Sequence, residues 1–427
     1  MINRRSFLTT AAAGFTASLA LHKPLLAQLE NVPSLPGRAL FDKNEDAYWA
    51  ALRKQFLIPE DEIYLNNGTV GSSPAPVLRA IFEGYTTTEK MDQQDPEDYP
   101  IWGYAAWNEF RDPLAEFVGC HRDEIALLRN ATEGNSYIAN GLDLKPGDEV
   151  LTTDQEHPGG IHPWNVKAKR YGIVVKQITL PRPVNNAAQV LNLFNDAITP
   201  RTRIIFFSHI TTFSGVVLPA KEICGLARSK GLLSAVDGAH VPGMMRLNIG
   251  EIGCDMYSAS PHKWLMAPKG TGTLYIREER MKDLWVNIAT ANWNNYDLKA
   301  YRFSWFGTSN LSVMVGLKAA LEFHRTIGPE IVFARIHELA KQVHDKVAAY
   351  PQLRITNASA DQFYGGMVSF DLVKENAKGD LKKVVDGCAA RNIRIVGGPD
   401  HFRVSTHIFT QPTELDLFYD ALSEGLA

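Results

Sequence analysis

The chain lacks several features that would indicate other classes of protein. It has only four cysteines among 427 residues and a formal net charge of −3. Four cysteines are too few for a disulfide scaffold, and this charge provides no basic surface for nucleic acid. Neither a Gly-x-Gly-x-x-Gly motif nor a P-loop occurs in the sequence, which argues against an unrelated nucleotide enzyme. What remains is an ordinary globular composition, 45% hydrophobic and 21% charged, without repeats or low-complexity tracts.

The N-terminus carries a pattern typical of export. Arg4 and Arg5 precede an uncharged, mildly apolar stretch, which resembles a twin-arginine signal. The alternative is a disordered or membrane-anchoring tail, but the stretch is too short and too rich in Thr, Gly and Ala for a comfortable membrane span. We expect residues 1–27 to be a signal peptide, cleaved after Ala20 or Ala27. The mature protein is then predicted to be periplasmic and without a membrane span.

Hydrophobic patterning predicts an α/β fold for most of the chain. After an N-terminal segment at 28–60, with a helix at 42–55, helices are expected at 76–90 and 104–118. Strand candidates follow at 125–128, 149–153, 173–178, 203–208, 232–236, 256–258 and 272–276. Helix candidates lie between them at 133–141, 162–171, 189–197 and 219–230. This alternation predicts a mostly parallel sheet covered by helices, in a large domain at 61–304.

The pattern changes near residue 305. Long helices are expected at 309–326 and 330–349, strands at 366–372 and 402–404, and further helices at 379–391 and 413–424. A chain of this length favours one large domain with a smaller one. We therefore predict a smaller C-terminal α+β domain at 305–427.

A lysine and a carboxylate at predicted strand ends indicate the chemistry. Asp237 closes an apolar run, and Lys263 follows a later strand in Ser260-Pro-His-Lys263. Together they are the pair that a pyridoxal phosphate (PLP) enzyme requires: the lysine binds the cofactor aldehyde, and the carboxylate keeps the pyridine nitrogen protonated. The alternatives are that Asp237 only caps a helix and that Lys269 is the reactive amine. Lys269 lies in a glycine-rich turn, where a lysine is usually solvated.

Other strand ends carry polar groups suited to such a cofactor. Thr132 lies where a strand meets a helix, and the N-terminus of that helix could bind a phosphate, although plain N-capping explains it equally. His157 could stack on a ring, or it could be structural. Arg403, on a strand of the small domain, suits capture of a carboxylate, and its alternative is a salt bridge between the domains. Asn67 lies in a polar, glycine-rich turn of the kind that often lines a site.

Taken together, these motifs resemble the class V aminotransferase superfamily, which includes isopenicillin N epimerase, cysteine desulfurases and kynureninase. The resemblance runs from about Tyr64 to the C-terminus. It is carried by Ala131-Thr-Glu-Gly134, Glu156-His157, Ser208-His-Ile-Thr-Thr212, Val236-Asp-Gly-Ala-His240, Ser260-Pro-His-Lys263 and Phe306-Gly-Thr308.

The resemblance implies a role for each matching position in a PLP-dependent enzyme. It makes Lys263, Asp237 and His157 the catalytic residues, as the cofactor-binding lysine, the partner of the pyridine nitrogen and the stacking residue. Arg403 is implied to bind the substrate carboxylate, and we expect Asn67, from its place in the polar turn, to bind the substrate as well. The cofactor site would be completed by Ala131, Thr132, Thr212, His240, Ser260 and His262, and by Thr308 from the other subunit of a homodimer. No metal is implied.

Departures from the family pattern narrow the predicted activity. The segment before the Arg403 strand is short and has no cysteine, so cysteine desulfurase activity is not expected. Thr212 and His240 stand where desulfurases often have Asn and Gln, which favours the isopenicillin N epimerase-like branch.

The export signal resembles a periplasmic branch that modifies a glutamate side chain during maturation of the siderophore pyoverdine. The predicted substrate is therefore an amino acid or a peptide-linked amino acid. Two alternatives stay open: an amino-acid aminotransferase or epimerase, and a binding protein that keeps the fold without turnover.

Overall fold

The computed structural model describes residues 25–90, 107–358, 360, 362, 364–373, 381–398 and 400–427. The predicted signal peptide at 1–27 lies outside the described residues, apart from its last three positions. Within the described ranges, no helix is both long enough and apolar enough to cross a membrane.

Helices and strands alternate along the described chain. The α-helices are α1 Leu25–Glu30, α2 Arg38–Lys43, α3 Glu45–Arg53, α4 Ala75–Glu89, α5 Asn108–Val118, α6 Ala131–Gly141, α7 Pro158–Tyr171, α8 Ala187–Ala197, α9 Ala220–Ser229, α10 Ile249–Ile252, α11 Leu311–Ile327, α12 Pro329–Ala348, α13 Leu381–Ala390 and α14 Pro412–Leu426. The strands are β1 Ile63–Tyr64, β2 Ile125–Leu128, β3 Glu149–Thr153, β4 Val174–Ile178, β5 Thr202–Ser208, β6 Leu233–Asp237, β7 Met256–Ala259, β8 Gly272–Ile276, β9 Leu353–Ile355, β10 Met367–Leu372, β11 Ile393–Arg394, β12 Val396–Gly397 and β13 His401–Ser405.

The large sheet has seven strands in the spatial order β2-β8-β7-β6-β5-β3-β4. From β7 to β4 all neighbours are parallel, whereas β8 is antiparallel to both β2 and β7. Each predicted strand of this sheet is present, with its ends shifted by at most one residue. The predicted α/β fold with a mostly parallel sheet is confirmed.

Apolar cores lie on both faces of the large sheet. On β5, Phe207 belongs to the same cluster as Trp49 and Leu317. Its neighbour Phe206 belongs to a second cluster that contains Tyr137. Successive strand residues point to opposite faces, so helices must cover both sides, as expected for parallel strands. The near-continuous apolar run of β5 follows from this double burial.

The helix predicted at 42–55 is wrong as a single element. It is split into α2 and α3 at Asn44, whose backbone is extended. The Asn44 side chain accepts a hydrogen bond of 3.0 Å from the backbone N–H of Ala47. Asparagine is among the best N-cap residues because it satisfies an N–H that the first turn leaves free. The local cap therefore starts a new helix within a continuous apolar pattern.

A smaller sheet forms near the C-terminus, with the antiparallel order β12-β13-β10-β9. Its apolar core also includes Ile63 and Leu65, because β1 pairs in parallel with β11. In contrast, α11 packs against α4, and Leu317 lies in a core of the large sheet. Residues on both sides of the proposed limits at 61 and 305 are thus shared between the two cores, and the domain limits stay a prediction.

Candidate functional site

Three parallel strands end together at one edge of the large sheet. Ser208, at the end of β5, pairs in register with Asp237 at the end of β6. Asp237 in turn pairs with Ser258 on β7, and Ser260 follows β7 directly. In open α/β sheets, ligands bind beyond the carboxyl ends of the strands. The predicted site residues from three separate stretches of sequence are therefore brought to one edge.

Asp237 is buried, and two donors hold its carboxylate in place. The backbone N–H of Ala239 donates to Oδ1 at 3.0 Å, and Asn135 donates from Nδ2 to Oδ2 at 2.8 Å. Asn135 itself accepts a 2.5 Å hydrogen bond from the Ser258 hydroxyl. The contact with the N–H of Ala239 is the one expected of a residue that caps a turn. The second carboxylate oxygen is oriented by the side chain of Asn135, which a capping role alone does not explain. Asn135 was not predicted, although its position one turn after Ala131 on α6 would have indicated it.

Lys263 lies in the interior of this site. Its Nζ is 3.2 Å from Nε2 of His240. Burial lowers the pKa of Lys263 to about 8; Asp237 opposes this shift, and the positive charge of Arg403 adds to it. An amine with a lowered pKa is partly neutral near pH 8 and can act as a nucleophile or base. The rival Lys269 is exposed as a residue, although partial burial of its amine also lowers its pKa. Lys263 is distinguished by its contact with His240.

His240 lies at the centre of a hydrogen-bonded cluster. Besides Lys263, its Nε2 has Thr212 Oγ1 at 3.3 Å. On the other side of the ring, the indole N–H of Trp264 donates to Nδ1 at 3.3 Å. Burial lowers the pKa of His240 well below its usual range, and the charges of Lys263 and Arg403 act in the same direction. The imidazole is therefore neutral. Trp264 was not predicted, although it follows Lys263 directly in sequence.

The residues predicted to hold a phosphate gather at the N-terminus of α6. The backbone N–H of Ala131 donates to Ser260 Oγ at 3.0 Å, which ties α6 to the segment before Lys263. Thr132 is exposed in the first turn of the same helix. His262 donates from Nδ1 to the carbonyl of Thr271 at 2.7 Å, so its neutral ring leaves Nε2 as an acceptor. Burial lowers the pKa of His262.

His157 and Glu156 follow β3 at the same edge. His157 Nδ1 accepts from the N–H of Gly159 at 2.9 Å, so the ring also caps α7. Its pKa is lowered by burial and by the charge of Lys263. Glu156 is buried; the hydroxyls of Ser208 and Thr153 each lie 2.6 Å from one of its oxygens. Burial raises the pKa of Glu156 to about 7, and the nearby Asp237 adds to this shift.

Arg403 enters the site from β13, and within the described residues its side chain has neutral partners. Its Nη1 donates to the carbonyl of Thr212 at 2.9 Å, and Nη2 donates to Thr69 Oγ1 at 2.9 Å. Its Nε is buried without a hydrogen-bond partner within the described ranges, and burial lowers the pKa of Arg403 to about 10. In the described part of the chain, no carboxylate forms an ion pair with it. The alternative of a salt bridge between the domains therefore finds no partner among the described residues.

Asn67 and Thr308 occupy contrasting positions. Asn67 is fully buried, and neither its Nδ2 nor its Oδ1 has a partner within the part of the chain that the structure describes. Leaving a buried amide without hydrogen bonds reduces the stability of the folded protein. A bound ligand that hydrogen-bonds to Asn67 would remove this penalty. Thr308 is exposed. Its assignment to the cofactor site of a second subunit stays a prediction.

The residues at this edge fit the two ends of PLP. A buried lysine with a lowered pKa suits the aldehyde, and the oriented carboxylate of Asp237 suits a protonated ring nitrogen. The N-terminus of α6, with the Ser260 hydroxyl and His262 beside it, suits a phosphate. The loop after β1 also approaches the backbone of Lys263 closely. A Cβ on Gly71 would overlap the carbonyl of Lys263, so this position requires glycine.

The chain belongs to the class-V aminotransferase family, whose profile matches residues 63–411. It is a PLP-dependent enzyme of this family, and its cofactor is pyridoxal 5′-phosphate. Membership agrees with the resemblance inferred from the motifs around Asp237 and Lys263.

Two curated relatives are both isopenicillin N epimerases. The protein from Streptomyces clavuligerus is 28% identical over 396 residues, which cover 88% of this chain and 98% of that protein. The protein from Amycolatopsis lactamdurans is 29% identical over 397 residues, with the same coverage. Among solved structures, a lysine-to-alanine variant of C-DES, with glycine covalently linked to its PLP cofactor, is 26% identical with a TM-score of 0.74. That similarity covers 86% of this chain and 98% of C-DES.

Proposed function

We propose that the chain acts at the Cα of an amino acid, as an epimerase or aminotransferase of the isopenicillin N epimerase type. The observation that carries this proposal is the buried guanidinium of Arg403, which has no acidic partner in the described residues and lowers the pKa of Lys263. A buried cation is stable only when paired. A substrate carboxylate on Arg403 would supply the missing charge and place the adjacent Cα near Lys263.

Each residue of the site then has a separate task. Arg403 binds the carboxylate through its two Nη groups. Lys263, whose pKa is about 8, accepts the proton from Cα at its Nζ. Bound PLP supplies the electron sink for the electrons left at Cα. Asp237, held by Ala239 and Asn135, keeps a negative charge at the base of the site. His240 remains neutral beside the lysine.

Two features of this chain argue against cysteine desulfurase activity. The connection between β12 and β13 covers only residues 398–400 and contains no cysteine. Cys388, on the preceding α13, lies in the small-sheet core, and burial raises the pKa of its thiol to about 12. A persulfide requires a reactive thiolate. Activity at Cα is therefore favoured over sulfur transfer.

The decisive experiment follows the fate of the Cα proton. The purified holoenzyme is incubated in D2O with a panel of L-amino acids and short peptides, with and without a 2-oxo acid acceptor. Deuterium at Cα together with the D-isomer identifies an epimerase, and a new 2-oxo acid identifies an aminotransferase. Deuterium exchange should require Lys263. Absence of both exchange and oxo acid across the panel, with cofactor loading intact, would overturn activity at Cα.

Periplasmic export and a homodimer are also part of the proposal. Export rests on Arg4 and Arg5 in the sequence. The dimer rests on the family resemblance of Phe306-Gly-Thr308, and Thr308 is exposed, as a contact with a second subunit requires. The more specific hypothesis, modification of a pyoverdine glutamate side chain, gains nothing from the epimerase relatives. The epimerase or aminotransferase alternative is the better supported of the two.

A further inference from the structure

The hydrogen bond between Trp264 and His240 determines which nitrogen of the imidazole carries the proton. An indole N–H can only donate, and Trp264 Nε1 lies 3.3 Å from His240 Nδ1. Nδ1 is therefore the acceptor. The imidazole is neutral because burial and surrounding positive charge lower its pKa. Its single proton must then be on Nε2.

The Nε2–H of His240 points toward two groups. Lys263 Nζ lies 3.2 Å away and Thr212 Oγ1 lies 3.3 Å away. An ammonium group has three donors and no acceptor, so a protonated Lys263 would set an N–H against another N–H. A neutral amine can instead accept the imidazole proton through its lone pair. The tautomer of His240 therefore favours the neutral, reactive form of Lys263.

Trp264 is held so that its indole N–H cannot turn away. The side chain is fully buried. Its backbone carbonyl accepts from Nε2 of His407 at 3.0 Å, and its ring stacks on the His407 ring with centroids 5.7 Å apart. A Cβ on Gly366 would overlap the indole ring. Trp264 is therefore held as a fixed hydrogen-bond donor, and its role goes beyond filling space in the apolar core.

We propose that Trp264 is a positioning residue that fixes the tautomer of His240, so that the Nε2–H of His240 favours the neutral form of the Lys263 amine. Trp264 acts only through His240. The inference rests on Lys263 being the reactive amine of the proposed function, but it does not depend on which reaction follows.

The charged groups around Lys263 and His240 shift the pKa of each in a definite direction. Lys263 faces Asp237, which favours its charged form, and Arg403, which disfavours it. His240 faces Lys263, Arg403 and His157, all of which oppose its protonation. Of these three groups, Lys263 forms the hydrogen bond to the imidazole described above, at Nε2, where an amine can either donate or accept. Among the described residues, the Trp264 indole is the donor that distinguishes Nδ1 from Nε2.

The first test reads the tautomer directly in the unmodified protein. Nitrogen-15 spectra of enzyme labelled at histidine, with the His240 signals assigned by comparison with His240→Gln, should show a protonated Nε2 and a bare Nδ1. A proton on Nδ1, or a mixture of the two tautomers, would overturn the proposal. This measurement requires neither turnover nor folding of a Trp264 variant.

The second test uses Trp264→Phe in the full-length enzyme. Loss of the indole N–H frees Nδ1 to carry the proton, and Nε2 can then accept from a Lys263 ammonium. One such hydrogen bond corresponds to about one pKa unit. In the cofactor-free enzyme, the midpoint for the reaction of Lys263 with added PLP should therefore move up by about one pH unit. In the holoenzyme, the pH midpoint of the visible band should also rise, because a donated N–H stabilises the deprotonated form of the group that accepts it.

Two controls separate this effect from general damage. Trp164→Phe removes another fully buried indole, whose Nε1 has no partner within the described ranges, and it should leave both midpoints unchanged. In a His240→Gln background, Trp264→Phe should add no further shift. An additive shift in that background would show that Trp264 acts by another route. An unchanged midpoint in folded Trp264→Phe would likewise refute the role, while the D2O exchange experiment still tests activity at Cα separately.

Discussion

Arg403 Nη1 donates a 2.9 Å hydrogen bond to the backbone carbonyl of Thr212. The bond joins the small sheet to the loop after β5, and the hydroxyl of the same threonine lies 3.3 Å from His240. The predicted substrate-binding cation is therefore linked to Lys263 through one loop residue and one imidazole. The guanidinium has five N–H donors, so a carboxylate can bind Arg403 while this backbone contact is kept.

Arg403→Gln is expected to weaken substrate binding without harming the fold. Loss of a charge-assisted, bidentate contact should raise KM by about 10- to 100-fold. The thermal midpoint should stay the same or rise, because an unpaired buried charge has been removed. Steady-state kinetics and thermal melts check both effects. Arg354→Gln, at an exposed ion pair of the small sheet, is the matched control and should leave KM unchanged.

Borohydride reduction of the loaded enzyme should attach the pyridoxyl group to Lys263. The assignment follows from its burial and lowered pKa. Peptide mapping by mass spectrometry locates the adduct. Lys263→Ala should lose the adduct, and Lys269→Ala should retain it because Lys269 is exposed. An adduct on any other lysine of the wild-type enzyme contradicts the assignment.

Asp237→Asn and Asn135→Ala should lower kcat to different extents. Loss of the Asp237 charge should reduce kcat by about 100-fold or more, as for other electrostatic contacts at a reacting centre. Asn135→Ala removes only the hydrogen bond that orients Oδ2, so a loss of about tenfold is expected. Asn195→Ala, on the exposed face of α8, is the control. Equal effects of Asp237→Asn and Asn135→Ala would mean that orientation, not charge, is what matters.

The reaction of cofactor-free enzyme with PLP should depend on pH through Lys263. Only the neutral amine reacts, so the rate should rise with pH and level off above about 8, the pKa of Lys263 in the folded protein. The positive charge of Arg403 contributes to this low value, so Arg403→Gln should move the midpoint upward. Stopped-flow absorbance provides the measurement. A midpoint near that of an ordinary lysine would contradict the burial of Lys263.

Export should depend on the paired arginines. Replacing both Arg4 and Arg5 with lysine keeps the charge but removes the twin-arginine pattern. Cell fractionation should then find the protein in the cytoplasm, with its cofactor bound and its N-terminus uncleaved. Replacing Lys23 with arginine is the matched control and should leave export intact. Periplasmic protein at wild-type levels in the double variant would rule out this route.

The sequence predicted the sheet well because each strand carries its own signal. Buried parallel strands are short apolar runs between helical patterns, so β2, β3 and β8 match their predicted limits. The split at Asn44 was missed because apolar spacing continues across a local cap. Strands β9, β11 and β12 were missed because they have only two or three residues each. Runs this short contain too few residues to show the alternation of apolar and polar residues by which a strand is predicted.

By itself, the sequence determined the class of chemistry, and it predicted Lys263 rather than Lys269 as the reactive amine. Both depend on residue types placed directly after apolar runs, because ligands of open α/β sheets bind beyond the carboxyl ends of the strands. Only the tertiary structure showed that Asn135 orients Asp237 from 102 residues away, that Arg403 has no acidic partner in the described residues, and that Trp264 donates to His240. These are contacts between side chains from different elements, and no local pattern encodes their distance or direction.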